Sequence, residues 1–338
     1  MSWIRENTLG FFQLVAVKII KTGRIPKHIA FIMDGNRRYA NKKNAVCIEG
    51  HSKGFDKLAE TLQWCLDLGI KEVTVYAFSI ENFKRSKDEV DGLMSLAREK
   101  FERLLDERDK LMEHGVRIRI IGNMSMIPED VRKPMVEAMT ITKDNDKALL
   151  NIAFAYTSTD EVTEAVKAAV DGVMNNEITP DDISEELISK SLYTHNSPEP
   201  DLLIRSSGEI RFSDFLLWQI SYTCVYFAEA LWPEFSIWDL LAAIFHFQRN
   251  FDALQAIAND NRSKHAIYSN RVSTYVNRLH RERQDMCRSI CSTRVQSKSF
   301  GKKYLFGSAN RFFVLFIKGL DSSLRREMPF NNLFITNN

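Results

Sequence analysis

The chain has 338 residues, and its 44% hydrophobic and 27% charged residues are the proportions of an ordinary globular protein, organised as one large domain or two. The formal net charge of +2 hides an asymmetry, because residues 261–338 carry 15 Lys and Arg against 4 Asp and Glu, which leaves a net −9 on residues 1–260. Basic tails of this kind meet anionic lipid, nucleic acid or an acidic partner.

Several classes of protein are excluded by what the sequence lacks. Its five cysteines form no paired CxxC sets, so we expect no zinc site. An odd number of cysteines without a signal peptide is typical of a reducing compartment. No apolar run approaches the ~20 residues that a membrane-spanning helix needs, so we expect any membrane contact to be peripheral.

Residues 1–25 predict an amphipathic helix, with aromatic residues such as Trp3, Phe11 and Phe12 and basic residues at Lys18 and Lys21. Such a helix can rest at a membrane interface. The alternative, which we favour, is that it packs on the main body of the protein.

Apolar runs then alternate with helical patterns. The runs at 29–33, 73–79, 116–121, 148–156, 202–205 and 224–227 predict strands. Helical spacing at 51–69, 86–114, 129–142 and 160–173 predicts the helices between them. This alternation predicts an α/β fold with a mostly parallel central sheet surrounded by helices.

The segment HIAFIMDGNRRYA predicts a strand, a tight turn and the start of a helix. Gly35 and Asn36 tolerate turn angles, while Arg37 and Arg38 suit a phosphate at the helix start. Asp34 fits beside them if a cation, with Mg²⁺ the obvious candidate, lies between its carboxylate and the anion. An alternative stays open: Asp34 caps the helix and the arginines are solvated.

Polar residues follow three of the predicted strands, and in such sheets ligands bind outside the carboxyl ends of the strands. We therefore expect one shared edge for residues 34–38, for Ser79, Glu81, Asn82 and Arg85, and for Arg205, Arg211 and Ser213. Five arginines against two carboxylates suit a polyanion with a divalent cation, such as a diphosphate. For the segment RSSGEIRFS the alternative is a polar loop with solvated arginines.

Common phosphate signatures are missing, since neither GxxxxGK[ST] nor GxGxxG after a strand occurs, and a nucleotide is not favoured. Asp181 and Asp182 do not complete a DDxxD pattern, and we expect them to open the helix after Pro180. Phe78 and Phe83 flank the second polar cluster, and an apolar stripe over residues 90–112 follows it. We interpret the stripe as core; a diphosphate head beside a hydrophobic tunnel would instead mean an isoprenoid.

Several long segments resemble one family. HIAFIMDGNRRYA, EGHSKG, VYAFSIENFKRS, LNIAFAYTS, DLLIRSSGEIRFSDFLLWQ and LWPEF are similar to the cis-prenyltransferases (undecaprenyl diphosphate synthase-like), and within them to the eukaryotic dehydrodolichyl diphosphate synthase branch. The resemblance implies a catalytic domain over residues 26–250 with a hydrophobic tunnel, and a basic extension, helical or irregular, over 251–338. It implies repeated condensation of isopentenyl diphosphate onto farnesyl diphosphate, giving long-chain dehydrodolichyl diphosphate for dolichol synthesis and protein glycosylation.

The resemblance also implies two sets of site residues. The catalytic set is Asp34, Asn36, His51, Ser79 and Asn82, with Asp34 as the Mg²⁺ ligand. The substrate-binding set is Gly35, Arg37, Arg38, Phe78, Glu81, Arg85, Arg205, Arg211 and Ser213.

Three departures from the family pattern matter: Cys47 stands where an arginine is frequent, Cys224 stands where bacterial members carry a glutamate, and no terminal R-x-G motif is evident. The third implies a membrane-anchored partner of the Nogo-B-receptor type that supplies the motif, at the cytosolic face of the endoplasmic reticulum membrane. The first two leave open a scaffold or receptor-like subunit without activity. Nucleic-acid binding is not expected, because the basic tail contains no recognised module.

Overall fold

Six strands form a single parallel sheet in a computed structural model that describes residues 9–262 and 269–303. The strands are β1 (His28–Ile32), β2 (Glu72–Ser79), β3 (Val116–Ile121), β4 (Ala148–Tyr156), β5 (Leu202–Arg205) and β6 (Cys224–Phe227). Their order is β3-β4-β2-β1-β5-β6, and every neighbouring pair is parallel. The predicted α/β class is confirmed.

Helices precede, connect and follow the strands. They are α1 (Phe11–Ile20), α2 (Asn36–Lys42), α3 (Cys47–Leu68), α4 (Lys87–Asp106), α5 (Arg108–His114), α6 (Glu129–Ile141), α7 (Ser158–Met174), α8 (Glu185–Ser191), α9 (Ile237–Arg262) and α10 (Asn270–Lys303). No helix in the described part of the chain is both long and apolar enough to cross a membrane. The chain divides into two compact units, Met1–Arg288 and Ser289–Asn338, and the sheet lies in the first.

Two details of the helix prediction were wrong. The pattern over residues 86–114 is two helices, interrupted at Glu107, because the run of charged residues there offers no apolar side chain to hold a regular turn against the core. Asp181 and Asp182 form a short 3₁₀ turn, and α8 begins later with Ser184 as its cap. The Asp182 carboxylate accepts instead from the Thr179 amide at 2.7 Å.

The sheet is covered on both faces, and alternate residues of each strand serve the two sides. On β1, Ile29 and Phe31 belong to the larger core, where the Phe31 ring lies 5.9 Å from that of Trp232. Ala30 and Ile32 belong to the smaller core with Phe215. All five β1 residues are buried, which is why a continuous apolar run predicted the strand.

The two ends of the described chain pack in different ways. On α1, Val17 is buried, whereas Phe11 and Phe12 are 75% and 78% exposed. At the start of α10, Val272 and Tyr275 are buried in a third core with residues of α7 and α8. The boundaries at 25 and 250 stay predictions, and the prediction for the tail beyond residue 303 lies outside the described residues.

Candidate active site

The turn after β1 depends on a glycine that no other residue could replace without strain. Gly35 has φ +101°, a left-handed value, and caps α2. A Cβ there would lie 2.9 Å from Leu231 Cδ2 and 3.0 Å from Ser207 Cβ. The Asp34 carboxylate accepts from the Gly35 amide at 2.7 Å and does not itself cap the helix. Asp34 is therefore held at the edge of the sheet by its Oδ1 atom, and its Oδ2 atom is left to contact Arg205.

Two glycines of the EGHSKG segment allow α3 to lie directly against the start of α2. A Cβ at Gly50 would lie 2.3 Å from the Asn36 carbonyl oxygen, and one at Gly54 would lie 2.2 Å from Asn36 Oδ1. The Asn36 side chain donates to the Met33 carbonyl at 3.2 Å, while its Oδ1 is buried without a partner. This close approach brings His51, between the two glycines, to the same edge.

Arg205 joins the first and last predicted clusters. Its Cα is paired with that of Ile32 across β1 and β5, so the two strand ends are neighbours. The guanidinium is 3% exposed and binds Asp34 Oδ2 at 2.8 Å and Ser213 Oγ at 2.9 Å. It also donates to the Arg211 carbonyl. The convergence that the parallel sheet predicted is observed here.

Arg38 reaches across the turn to the loop that follows β5. Its Nη1 donates to the Ser207 carbonyl at 3.1 Å, and its Nη2 lies 3.1 Å from Glu209 Oε1. Glu209 also pairs with Arg211. A carboxylate therefore lies between two arginines of the edge. Glu209 was not among the predicted site residues, although its position inside RSSGEIR was the available signal.

The cluster after β2 is ordered by a 3₁₀ turn over Ile80–Lys84. Ser79 caps this turn, and its amide donates to Asn82 Oδ1 at 3.0 Å. Arg85 pairs with Glu89 at 2.8 Å. Glu81 differs from its neighbours: it is 59% exposed, pairs with Lys84, and does not face the cavity described next.

A cavity of about 680 Å³ opens at this edge. Every predicted site residue except Glu81 lines it, and they share the lining with apolar side chains of α3, α4, β2 and β4: Phe55, Leu58, Val75, Leu93, Leu96, Ala97, Phe101, Ile152 and Phe154. The volume falls within the ~300–1,000 Å³ of small-molecule sites. The apolar stripe over residues 90–112 contributes to both the cavity and the core. Leu93 and Ala97 line the cavity, whereas Leu104 and Leu111 are buried in the core. The interpretation as core alone was incomplete.

Three buried polar atoms of cavity residues have no hydrogen-bond partner: Asn36 Oδ1, His51 Nε2 and Arg205 Nε. Burial, and then the charge of Arg85, lower the pKa of His51 to about 4, so its ring is neutral at pH 7. Buried polar groups are normally hydrogen-bonded, and exceptions beside a cavity indicate a place for ligand atoms.

Lys100 is a further cavity residue that was not among the predicted site residues. It lies on α4 within the apolar stripe, is buried, and lines the cavity with its ammonium group 5.1 Å from the centre of the Phe55 ring. The signal was a lysine at helical spacing from Leu93 and Ala97, on the face that the stripe defines.

The residues present fit a Mg²⁺ ion at Asp34. The carboxylate offers hard oxygen, its side chain is one-third exposed, and cavity arginines that would bind a phosphate adjoin it. Mg²⁺ is bound in proteins through one or two carboxylates together with phosphate oxygens. The unpartnered Asn36 Oδ1 on the next turn is another oxygen donor of the kind this ion takes.

Comparisons with known proteins agree with this geometry. The family described as putative undecaprenyl diphosphate synthase matches residues 32–253. The chain is 56% identical over 255 residues to the dehydrodolichyl diphosphate synthase complex subunit of Homo sapiens, covering 75% of this chain and 77% of that one. It is 44% identical over 242 residues to the corresponding complex subunit of Schizosaccharomyces pombe, covering 71% and 92%.

A solved structure shares the fold. The crystal structure of lavandulyl diphosphate synthase from Lavandula x intermedia in complex with dimethylallyl diphosphate superposes with a TM-score of 0.63 at 33% identity, covering 66% of this chain and 95% of that one. The family match runs from the end of β1 into α9 and so contains nearly the whole sheet and the cavity. This chain therefore belongs to the undecaprenyl diphosphate synthase-like cis-prenyltransferases, a family of transferase enzymes, as the sequence resemblance predicted.

Proposed function

We propose that this chain is the catalytic subunit of a complex that condenses isopentenyl diphosphate repeatedly onto farnesyl diphosphate, making long-chain dehydrodolichyl diphosphate for dolichol synthesis and protein glycosylation. One observation carries the proposal: the arginine-rich edge and the apolar side chains of α3 and α4 line a single cavity. The arginine-rich edge suits diphosphate groups, and the apolar side chains suit a growing isoprenoid chain.

The side chains of the edge divide the work between two substrates. Arg38 and the amides at the start of α2 hold the allylic diphosphate, and Arg205 and Arg211 hold isopentenyl diphosphate, so that the reacting carbons are held in line. Negative charge grows on the leaving diphosphate, and fixed guanidinium groups stabilise it. Apolar residues such as Phe78 and Phe101 exclude water from the allylic cation.

A metal ion completes this chemistry. We propose that Asp34 holds Mg²⁺, which when bound neutralises diphosphate charge and promotes departure of the leaving group. The Arg205 guanidinium, at 2.8 Å, keeps the Asp34 carboxylate in a fixed orientation at the cavity. The alternative of a scaffold without activity has no support in the site, because the arginines, the carboxylate and the unpartnered polar atoms are all retained.

The test is a product assay. The chain is co-expressed with a Nogo-B-receptor-type subunit and supplied with farnesyl diphosphate, labelled isopentenyl diphosphate and Mg²⁺. We expect long polyprenyl products, their loss in Asp34→Ala with an unchanged melting temperature, and their retention in Asp144→Ala, a control at an exposed aspartate. Absence of labelled product from the wild-type complex would refute the catalytic assignment, and full activity of Asp34→Ala would refute the metal role.

The proposal includes a partner and a membrane. We propose that the partner is membrane-anchored and supplies the R-x-G motif, and that the complex lies on the cytosolic face of the endoplasmic reticulum. The named complex subunits among the relatives support a partner. Exposed Phe11, Phe12 and Ile19 on α1 support peripheral contact with lipid.

Vesicle co-sedimentation tests the membrane contact separately. With vesicles that contain anionic lipid, Phe11→Ala/Phe12→Ala should sediment less than wild type. Val166→Ala/Val170→Ala, a control pair of apolar residues on α7 that are 45% and 47% exposed, should sediment like wild type. Equal sedimentation of all three proteins would show that α1 is not the contact.

A further inference from the structure

A cluster of three potential metal ligands lies beside the proposed diphosphate site. Cys47 and His51 are one turn apart on α3, and Glu89 lies in the first turn of α4. One ligand atom from each, the Cys47 sulfur, a His51 ring nitrogen and a Glu89 carboxylate oxygen, all lie within 4.8 Å of one another. Residues four apart on a helix face the same way, which brings the first two together. The absence of CxxC pairs hid this cluster from the sequence.

The histidine of the cluster is ready to bind a cation. Its Nε2 is buried and has no hydrogen-bond partner. A neutral imidazole nitrogen carries a lone pair that a metal ion can accept. A buried ring nitrogen without a hydrogen-bond partner is costly, and coordination of a metal would satisfy it.

The charges around the cluster are compatible with a divalent ion. Arg85 and Arg37 lie near Glu89, at 2.8 Å and 4.0 Å from Oε1, and oppose a cation. A carboxylate has a second oxygen, however, so Glu89 can keep Arg85 on one and bind a metal with the other. A Cys47 thiolate and the Glu89 carboxylate together balance the two positive charges of the ion.

We propose that Cys47, His51 and Glu89 form a site for Zn²⁺ or a similarly thiophilic divalent ion, with water in the fourth position. Zinc binds sulfur, imidazole nitrogen and carboxylate oxygen in a tetrahedron, at bond lengths of about 2.0–2.3 Å. Mg²⁺ does not compete, because it prefers oxygen ligands and a thiolate is too soft for it.

The cluster lies at the cavity, so a metal bound there would affect substrate binding. His51 lines the cavity, and Arg85 beside it lines the cavity too. A zinc ion there would occupy His51 and one carboxylate oxygen of Glu89, and would add a bound water at the place where diphosphates are proposed to bind. We expect zinc to inhibit reversibly; this consequence rests on the proposed function, whereas the binding itself does not.

Co²⁺ is the probe that tests the site without an activity assay, since thiolate ligation gives it a charge-transfer band in the near ultraviolet. The full chain carries Cys287→Ser/Cys291→Ser, so that the two thiols on α10 cannot contribute. We expect the band to saturate at one equivalent of Co²⁺, to disappear on adding Zn²⁺, and to persist in excess Mg²⁺.

Variants assign the ligands. Cys47→Ser, or Cys47→Ala if the first variant melts early, should abolish the band. Glu89→Gln should weaken Co²⁺ binding by at least about tenfold, whereas Glu49→Gln, which removes the same charge from the exposed side of α3, should not. A band that survives loss of Cys47, or no band in the parent protein, would overturn the proposal. These spectra do not depend on enzymatic activity. Failure of the proposed function in the product assay can therefore be distinguished from failure of the metal-site proposal.

Discussion

The sheet carries one polar cluster toward the amino ends of its parallel strands and another at their carboxyl ends. The two clusters differ in whether their buried polar atoms have hydrogen-bond partners. We call the first the amino-end network, formed by His28, Glu72, Thr74, Arg119, Asn151 and Ser197. Within it, Asn151 Nδ2 donates to Glu72 Oε1 at 2.6 Å and to Thr74 Oγ1 at 2.9 Å, and Arg119 Nε donates to Asn151 Oδ1 at 2.8 Å. Each of these buried groups has a partner inside the protein.

The second, the carboxyl-edge cluster, consists of Asp34, Asn36, Arg38, His51 and Arg205. It contains similar residue types, yet three of its buried atoms have no partner within the described structure. Unsatisfied buried polar groups destabilise a fold, so they persist where a ligand or a metal satisfies them. The comparison therefore separates polar groups that stabilise the sheet from polar groups that are available to a substrate.

Glu72→Ala should break the amino-end network and give the largest effect. It leaves the buried guanidinium of Arg119, 3.6 Å away, without its carboxylate, and removing one member of a buried pair costs ~3–5 kcal/mol. We expect a loss of this size in the free energy of unfolding, measured by urea denaturation. Product formation per folded molecule should stay at the wild-type value; a stable Glu72→Ala protein would contradict the structural role.

Arg211→Ala should have the opposite signature. Its side chain is 62% exposed, so the free energy of unfolding should not change. Loss of one group that stabilises developing charge should lower kcat/KM for isopentenyl diphosphate by about 10²–10³-fold. Arg98→Ala, at an exposed arginine paired with Asp130, is the control and should keep full activity. Equal activity of the two variants would remove Arg211 from the site.

Two glycines distinguish backbone strain from damage to the site. Gly69 has φ +84° with open space around it, so Gly69→Ala should cost only the left-handed strain of ~1–2 kcal/mol, visible in the melting temperature. Gly35→Ala adds contacts with Leu231 and Ser207 and should also displace Asp34, lowering activity by about 10²-fold. If Gly35→Ala were as active as Gly69→Ala, the turn would not position the carboxylate.

The smallest effect concerns pH. Burial lowers the pKa of His28 in the folded protein below its ordinary value of 6.5. Just below pH 6.5, His28 is therefore protonated in the unfolded chain but still neutral in the folded chain. The stabilisation is present above pH 6.5 and is lost as the pH falls toward the lowered folded-state pKa. Urea midpoints measured from pH 7.5 to pH 5 should therefore fall less steeply in His28→Gln than in wild type. A control, His246→Gln at an exposed position, should follow wild type.

Much of this arrangement followed from local patterns. Buried β-rich runs predicted all six strands to within a residue or so, because a strand covered on both faces must be apolar throughout. The rule that parallel strands end at one edge then predicted that Asp34 and Arg205 would meet, although they are 171 positions apart in the sequence. Residues that follow a strand are constrained by the sheet, so the sequence was informative about them.

What could not be predicted depends on how helices pack. Periodicity shows which face of α4 is apolar but not whether side chains or a cavity lie opposite, so Leu93 was interpreted as core and Lys100 was passed over. The approach of Cys47 to Glu89 depends on the packing of α3 against α4, which no local pattern encodes. Glu81 follows the same strand as Ser79, yet the 3₁₀ turn directs it to solvent.

Binding of an unreactive substrate analogue shows whether the carboxyl-edge cluster binds a diphosphate. Farnesyl thiodiphosphate is titrated calorimetrically into the chain with Mg²⁺ present, for wild type, Arg38→Ala and the exposed control Arg98→Ala. We predict that Arg38→Ala weakens binding by at least about tenfold, the loss of a charge-assisted contact, while the control binds like wild type. Equal affinity of all three proteins would show that Arg38 does not bind the diphosphate.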